Sequence, residues 1–164
     1  MRQLGLDEVT FLPAGAPWQK ANRLVTPPRH RWAMTELAID GVDYFSADDR
    51  EIHRDGPTYT IDTLEELGEE RVVLILGADA AAGLQTWHRW TEVLDRARVA
   101  VVPRLGTDRG RAEAAADCVW LDMPELDISG SDLRHRLATG GSARFLVRES
   151  VWAYITDEGL YVDS

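Results

Sequence analysis

Val72-Val73-Leu74-Ile75-Leu76 is an unbroken apolar run, and it stops at Gly77-Ala78-Asp79. A strand with one wet face alternates apolar and polar residues. This run does not, so it reads as a strand buried on both faces of a parallel sheet. Val99-Ala100-Val101-Val102 repeats the pattern and ends at Pro103-Arg104. Between them Trp87 and Trp90, three residues apart, predict a short helical stretch. A helix near Arg111 to Ala116 and a strand at Val119-Trp120-Leu121 complete a further unit of the same kind.

Upstream, Val9-Thr10-Phe11-Leu12 is a short strand ended by Pro13-Ala14-Gly15-Ala16-Pro17. Thr26 before Pro27-Pro28 predicts a helix start, with Trp32, Met34, Leu37 and Ala38 as its apolar face and a stop near Gly41. Tyr44 to Ala47 and Glu51-Ile52-His53 are weaker strand candidates. Thr58 is placed to cap a second helix from Tyr59 to Leu67, where Ile61, Leu64 and Leu67 recur at three-residue steps. Downstream, Ser131 to Ala138 and Glu149 to Ile155 read as helices. Strands alternating with helices predict an α/β domain with a mostly parallel sheet, spanning residues 1–164 as a single unit. Ligands of such sheets bind beyond the C-terminal strand ends. The turns Pro13 to Lys20, Gly77 to Asp79 and Asp127 to Arg134 are therefore candidates for one cleft.

The formal net charge of −10 argues against a nucleic-acid binder, which needs a basic footprint. No apolar run is long enough to span a bilayer, and MRQLGLDEV has no signal-peptide core. The lone Cys118 reads as a small core residue, and together these features point to the cytoplasm.

The chemistry-bearing stretches each admit two readings. In Ile128-Ser129-Gly130-Ser131-Asp132-Leu133-Arg134, a helix start with two hydroxyls and a guanidinium suits a phosphate, or else Ser131 is an ordinary cap. Asp79 either meets ribose hydroxyls or a metal, or caps the next helix. The loop Pro13 to Lys20 presents a lysine to a phosphate or to solvent. Gly56-Pro57-Thr58-Tyr59-Thr60 places amides and hydroxyls at another helix start. Trp87 either stacks on an aromatic ligand or fills the core. His30, His53, His88 and His135 are scattered without metal-ligand spacing, so no side-chain metal site is expected.

Taken in order, these segments are specific together. Pro17-Trp18-Gln19-Lys20, His30-Arg31-Trp32-Ala33-Met34, Gly56 to Leu64, Gly77-Ala78-Asp79, Thr86-Trp87-His88-Arg89-Trp90, Ile128 to Arg134, Phe145-Leu146-Val147 and Val151 to Ile155 resemble bacterial nicotinate-nucleotide adenylyltransferase, in an actinobacterial-like form. The resemblance covers essentially the whole chain and implies a Rossmann-like nucleotidyltransferase fold. It implies adenylyl transfer from ATP, with Mg2+, to nicotinate mononucleotide, giving nicotinate adenine dinucleotide and pyrophosphate. By that resemblance Lys20, Gly77, Asp79, Ser129, Ser131 and Arg134 bind ATP and its phosphates, while Tyr59, Thr60 and Trp87 take the nicotinate mononucleotide.

Two departures accompany it. Gly130-Ser131 stands where the family has Ser-Thr, which removes one hydroxyl from the phosphate cradle. The family also opens with a strand, a Gly-Gly-Thr-Phe-Asp-Pro loop and a His-x-Gly-His helix start, and residues 1–164 contain none of these. The expectation is an N-terminally truncated domain that lacks its first strand and has no assignable catalytic histidine. Its open strand edges would invite aggregation or a pairing partner, and a homo-oligomer is among the expected states. Two alternatives stand beside this reading: a truncated, non-catalytic nucleotide-binding protein, and an adenylyltransferase for another acceptor such as pantetheine phosphate.

Overall fold

β4 (Ala97–Val102) is the centre of the larger sheet, and its burial explains the apolar run that encodes it. The computed structural model describes residues 2–17, 25–68 and 71–162. In chain order the other elements are β1 (Val9–Phe11), α1 (Pro28–Ile39), β2 (Phe45–Ala47), α2 (Thr60–Leu67), β3 (Val72–Gly77), α3 (Ala78–Ala82), α4 (Trp90–Arg96), α5 (Arg109–Ala115), β5 (Cys118–Trp120), α6 (Gly130–Ala138) and α7 (Glu149–Asp157). They fall into two compact units, Met1–Gly56 with Ile128–Ser164, and Pro57–Asp127. All named strand pairs are parallel. Among the described residues no helix is long and apolar enough to cross a membrane.

In the unit of Pro57–Asp127 the strand order is β3-β4-β5. Val99, Ala100 and Val101 in β4 are fully or almost fully buried. Ala78, Ala81 and Leu84 from the α3 side and Ala112, Ala115 and Ala116 from the α5 side meet Val99 and Val101 in one core cluster. Small side chains here let α3 and α5 lie close together. A second cluster joins Ile61 and Leu64 of α2 to Val93 of α4 and to Ala97. β3 departs from the expectation of burial on both faces. It is half-buried along its whole length, because it lies at an edge of this sheet and has β4 as its sheet neighbour.

In the other unit β1 and β2 pair from Val9↔Phe45 to Phe11↔Ala47, and the Phe11 and Phe45 rings meet edge to face at 5.0 Å. Leu137, Ala143, Val151 and Ile155 form its core, with Met34 and Leu37 of α1 packed against them. His30 is the buried residue of α1, and its Nδ1 lies 2.8 Å from the Tyr154 hydroxyl on α7. Arg148 Nη1 donates to the carbonyls of Ala38 (3.0 Å) and Asp40 (2.6 Å), satisfying the C-terminal end of α1.

Several local expectations are corrected. Thr26 does not start α1: Pro27 is the N-cap, Pro28 occupies the first turn, and the Thr26 hydroxyl donates to the Tyr161 hydroxyl at 3.0 Å. Glu51-Ile52-His53 is a turn rather than a strand, closed by the Ile52 amide on the Asp49 carbonyl at 2.8 Å. Thr58 does not cap α2. Tyr59 is the N-cap, and the buried Thr58 Oγ1 has no hydrogen-bond partner among the described residues. Trp87 and Trp90 do not share a helix. A 3-10 turn at Leu84–Thr86 ends before Trp87, and Arg89 in the left-handed region (φ 51°) separates it from α4.

Candidate active site

The parallel register sets the first part of the site. Gly77 pairs with Val102, so two residues further on, beyond the C-terminal ends of β3 and β4, Asp79 and Arg104 stand side by side. Arg104 Nη1 donates to Asp79 Oδ2 at 3.0 Å, and both side chains are exposed. A Cβ on Gly77 would fall 2.9 Å from Asp79 Oδ1, so only glycine leaves that carboxylate its place. Next to it a cleft of about 400 Å³ is lined by Asp79, Ala82, Gly83, Gly106, Thr107, Asp108 and Arg111. This is where an open parallel sheet presents its ligand face. A shallower hollow of about 440 Å³ lies in the other unit around Trp32, Glu36 and Asp40, and contains none of the expected site residues.

At the start of α6 the cap is Ser129, not Ser131: its Oγ accepts from the Asp132 amide at 3.0 Å. The Ser129 hydroxyl also donates to Asp132 Oδ2. Ser131 therefore sits inside the first turn, where Arg134 Nη2 donates to its Oγ at 3.3 Å. Arg134 folds back over Gly130, with Nη1 only 3.2 Å from where a Cβ would be. The glycine that departs from the family pattern thus makes room for the guanidinium over the helix start. Ser129, Ser131 and Arg134 are brought together, close to the helix amides.

Tyr59 and Thr60 open α2, whose start has no side-chain cap. The His88 ring lies against Tyr59 at 4.4 Å with an interplanar angle of 35°, which places the residue after Trp87 beside Tyr59. Trp87 itself is partly buried against the α3–α5 core cluster. Lys20 lies outside the described residues. The loop that leads to it is held by Arg31, whose Nη2 donates to the Gly15 carbonyl at 2.7 Å and whose Nη1 donates to the Ala14 carbonyl. The same guanidinium reaches the far side of this segment, with Nε donating to the Thr26 carbonyl at 2.9 Å. Burial pushes the Arg31 pKa down, against an opposing effect of Tyr161.

Comparison with known proteins meets this geometry. The cytidylyltransferase-like family model matches residues 1–136. A protein of Dehalococcoides mccartyi named probable nicotinate-nucleotide adenylyltransferase is 38% identical, over 98% of this chain and 85% of its own. One from Paenarthrobacter aurescens is 39% identical, over 97% and 79%. The chain belongs to the nicotinate-nucleotide adenylyltransferase family. Its fold is also that of a Plasmodium falciparum nicotinic acid mononucleotide adenylyltransferase solved with NaAD, at a TM-score of 0.76, 18% identity, and coverage of 95% of this chain and 83% of that one.

Within this adenylyltransferase, sequence reasoning missed Arg104 and Arg89. Arg104 follows its strand as Asp79 follows the neighbouring one, and aligning the two strand ends would have found it. Arg89 left no such signal, because its partners Glu65 and Glu92 come together only when α2 and α4 pack. Hydrogen bonds from Arg89 hold both carboxyls below the usual carboxylate range, and the pair raises the guanidinium in turn. Among the described residues no three His, Cys, Asp or Glu gather as a metal cage. A divalent cation that arrives on nucleotide phosphates needs only one or two carboxylates from the protein, and Asp79, paired with Arg104, is a carboxylate lining the cleft.

One prediction follows from Gly77. Gly77→Ala displaces the Asp79 carboxylate rather than any backbone, so stability should change by less than about 1 kcal/mol. ATP affinity should fall about tenfold, the scale of one charge-assisted contact. Calorimetric titration beside a urea melt checks both. A large loss of stability with intact affinity would contradict this account of the glycine.

Proposed function

We propose that this chain transfers the adenylyl group of ATP to nicotinate mononucleotide, producing nicotinate adenine dinucleotide and pyrophosphate in NAD biosynthesis. The observation that carries the choice of acceptor is the α2 start without a side-chain cap, with Tyr59 and Thr60 at the helix opening and His88 against the Tyr59 ring. Helix-start amides favour a carboxylate, which nicotinate has; nicotinamide offers NH₂ donors to the same amides. Trp87 is assigned to the pyridine ring.

A phosphate oxygen of the mononucleotide attacks the α-phosphorus of ATP. The new P–O bond forms as the bond to the β-phosphate oxygen breaks, and pyrophosphate leaves with its electron pair. No protein nucleophile is needed, so the protein's work is positioning and charge neutralisation. Ser129, Ser131 and Arg134, with the α6 amides, are assigned to ATP phosphates. Gly77 and Asp79 are assigned to the nucleotide, with Asp79 exchanging Arg104 for sugar hydroxyls, and Lys20 to phosphates. Mg2+ bound with ATP would supply charge neutralisation on its phosphates, a charge that the chain itself meets with Arg134 and the α6 amides. No catalytic imidazole is assigned, since none of the four histidines stands in a His-x-Gly-His pattern.

The test is product formation from ATP and Mg2+ with nicotinate mononucleotide, nicotinamide mononucleotide or pantetheine phosphate as acceptor. It is run on the 164 residues and on the same protein extended upstream with the family's opening segment. Preference for nicotinate mononucleotide by either form is the expected result. Turnover confined to the extended form would assign the imidazoles to that segment. Preference for pantetheine phosphate, or no turnover in either form, would overturn the proposal.

A further inference from the structure

Arg89 has a backbone that its side chain must justify. At φ 51° and ψ 41° it occupies the left-handed region, which a residue with a Cβ enters only when its surroundings hold it there. The holding is visible. Nε and Nη2 donate to the two oxygens of Glu92 at 2.7 and 2.5 Å. Nη2 and Nη1 donate to the two oxygens of Glu65 at 2.7 and 3.3 Å. Asp62 adds its charge at 3.9 Å. One guanidinium therefore joins α2, the turn after Trp87, and α4 by two forked pairs.

The turn is fixed to α2 at a second point, where His88 lies against Tyr59. His88 and Arg89 thus lie along α2 beside Tyr59 and Glu65, while Trp87 ahead of them packs against the α3–α5 cluster. Each pair is part-exposed and weak alone, but together they set one geometry. Both edges of the Arg89 fork are already taken by carboxylates, so it is poorly placed to grip a ligand as well.

We propose that Arg89 is a positioning residue of the nicotinate mononucleotide half-site: through Glu65 and Glu92 it keeps the Trp87–Arg89 turn seated on α2, so that Trp87 faces the nicotinate in one arrangement with Tyr59 and Thr60. This rests on the function proposed above.

The test is calorimetric binding of nicotinate mononucleotide and, separately, of ATP to the full chain and its variants. Arg89→Met should raise the Kd for nicotinate mononucleotide about tenfold and leave that for ATP unchanged. Glu65→Gln with Glu92→Gln keeps Arg89 but removes its anchors, and should give the same loss. That double variant also carries the test if Arg89→Met fails to fold. Arg89→Lys keeps a charge without the fork and should fall between. Unchanged mononucleotide affinity in the double variant overturns the proposal, as does equal weakening of both ligands. Tighter binding in the double variant overturns it too, because Arg89 would then be touching the ligand. If neither the unaltered chain nor its extended form binds nicotinate mononucleotide, the parent function falls and this inference with it, before any variant is made.

Discussion

Arg134→Ala is expected to weaken ATP binding about 30- to 150-fold, the loss of a charge-assisted contact worth about 2–3 kcal/mol. The guanidinium folds back over Gly130 and touches Ser131 at the start of α6, so a phosphate there would meet the helix amides, two hydroxyls and a forked cation together. Arg134 lies on the surface and supports no core residue, so thermal stability should hardly change. Arg134→Lys should recover only part of the affinity, because a point charge does not reproduce the fork. Titration of ATP into both variants decides between the two readings of this motif. Were α6 merely capped, Arg134 would be a solvated charge and its removal would leave ATP affinity unchanged.

Leu84→Ala should cost about 3 kcal/mol of folding stability, measured by urea unfolding. Leu84 is fully buried among Ala78, Ala81, Ala112, Ala115, Ala116, Val99 and Val101, with Leu76, Trp87, Leu94 and Trp120 half-buried around them. Alanines have no side chain to swing into a void, and the larger neighbours at the rim fill it only in part. Most of the cavity therefore stays open and its lining loses contacts outright. By contrast Ile61→Val removes one methylene from the second cluster and should cost about 1 kcal/mol. A loss for Leu84→Ala no larger than that would mean that α3 and α5 close over the gap.

The parallel α/β architecture was legible because β4 is buried on both faces and shows it as an unbroken run, Val99 to Val102. The similar run in β3 had the right strand but the wrong environment: composition does not reveal that β3 lies at an edge of its sheet. Helix interiors were readable and their caps were not. Thr26, Thr58 and Ser131 each have the right chemistry to cap, yet Pro27, Tyr59 and Ser129 hold those positions. Which of two nearby residues turns the chain is set by packing that local propensity does not encode. At the candidate site, Asp79 and the α6 motif stand out as polar residues at strand and helix ends. Arg104 and Arg89 do not, because each acquires meaning only from a partner distant in sequence.

Arg31 has one more consequence. Its guanidinium holds the carbonyls of Ala14 and Gly15 on one side and of Thr26 on the other. That makes it a non-covalent staple across the segment between them. Ala14 and Gly15 on one flank and Thr26 on the other therefore share a single point of failure, and removing the Arg31 guanidinium would release both in one step.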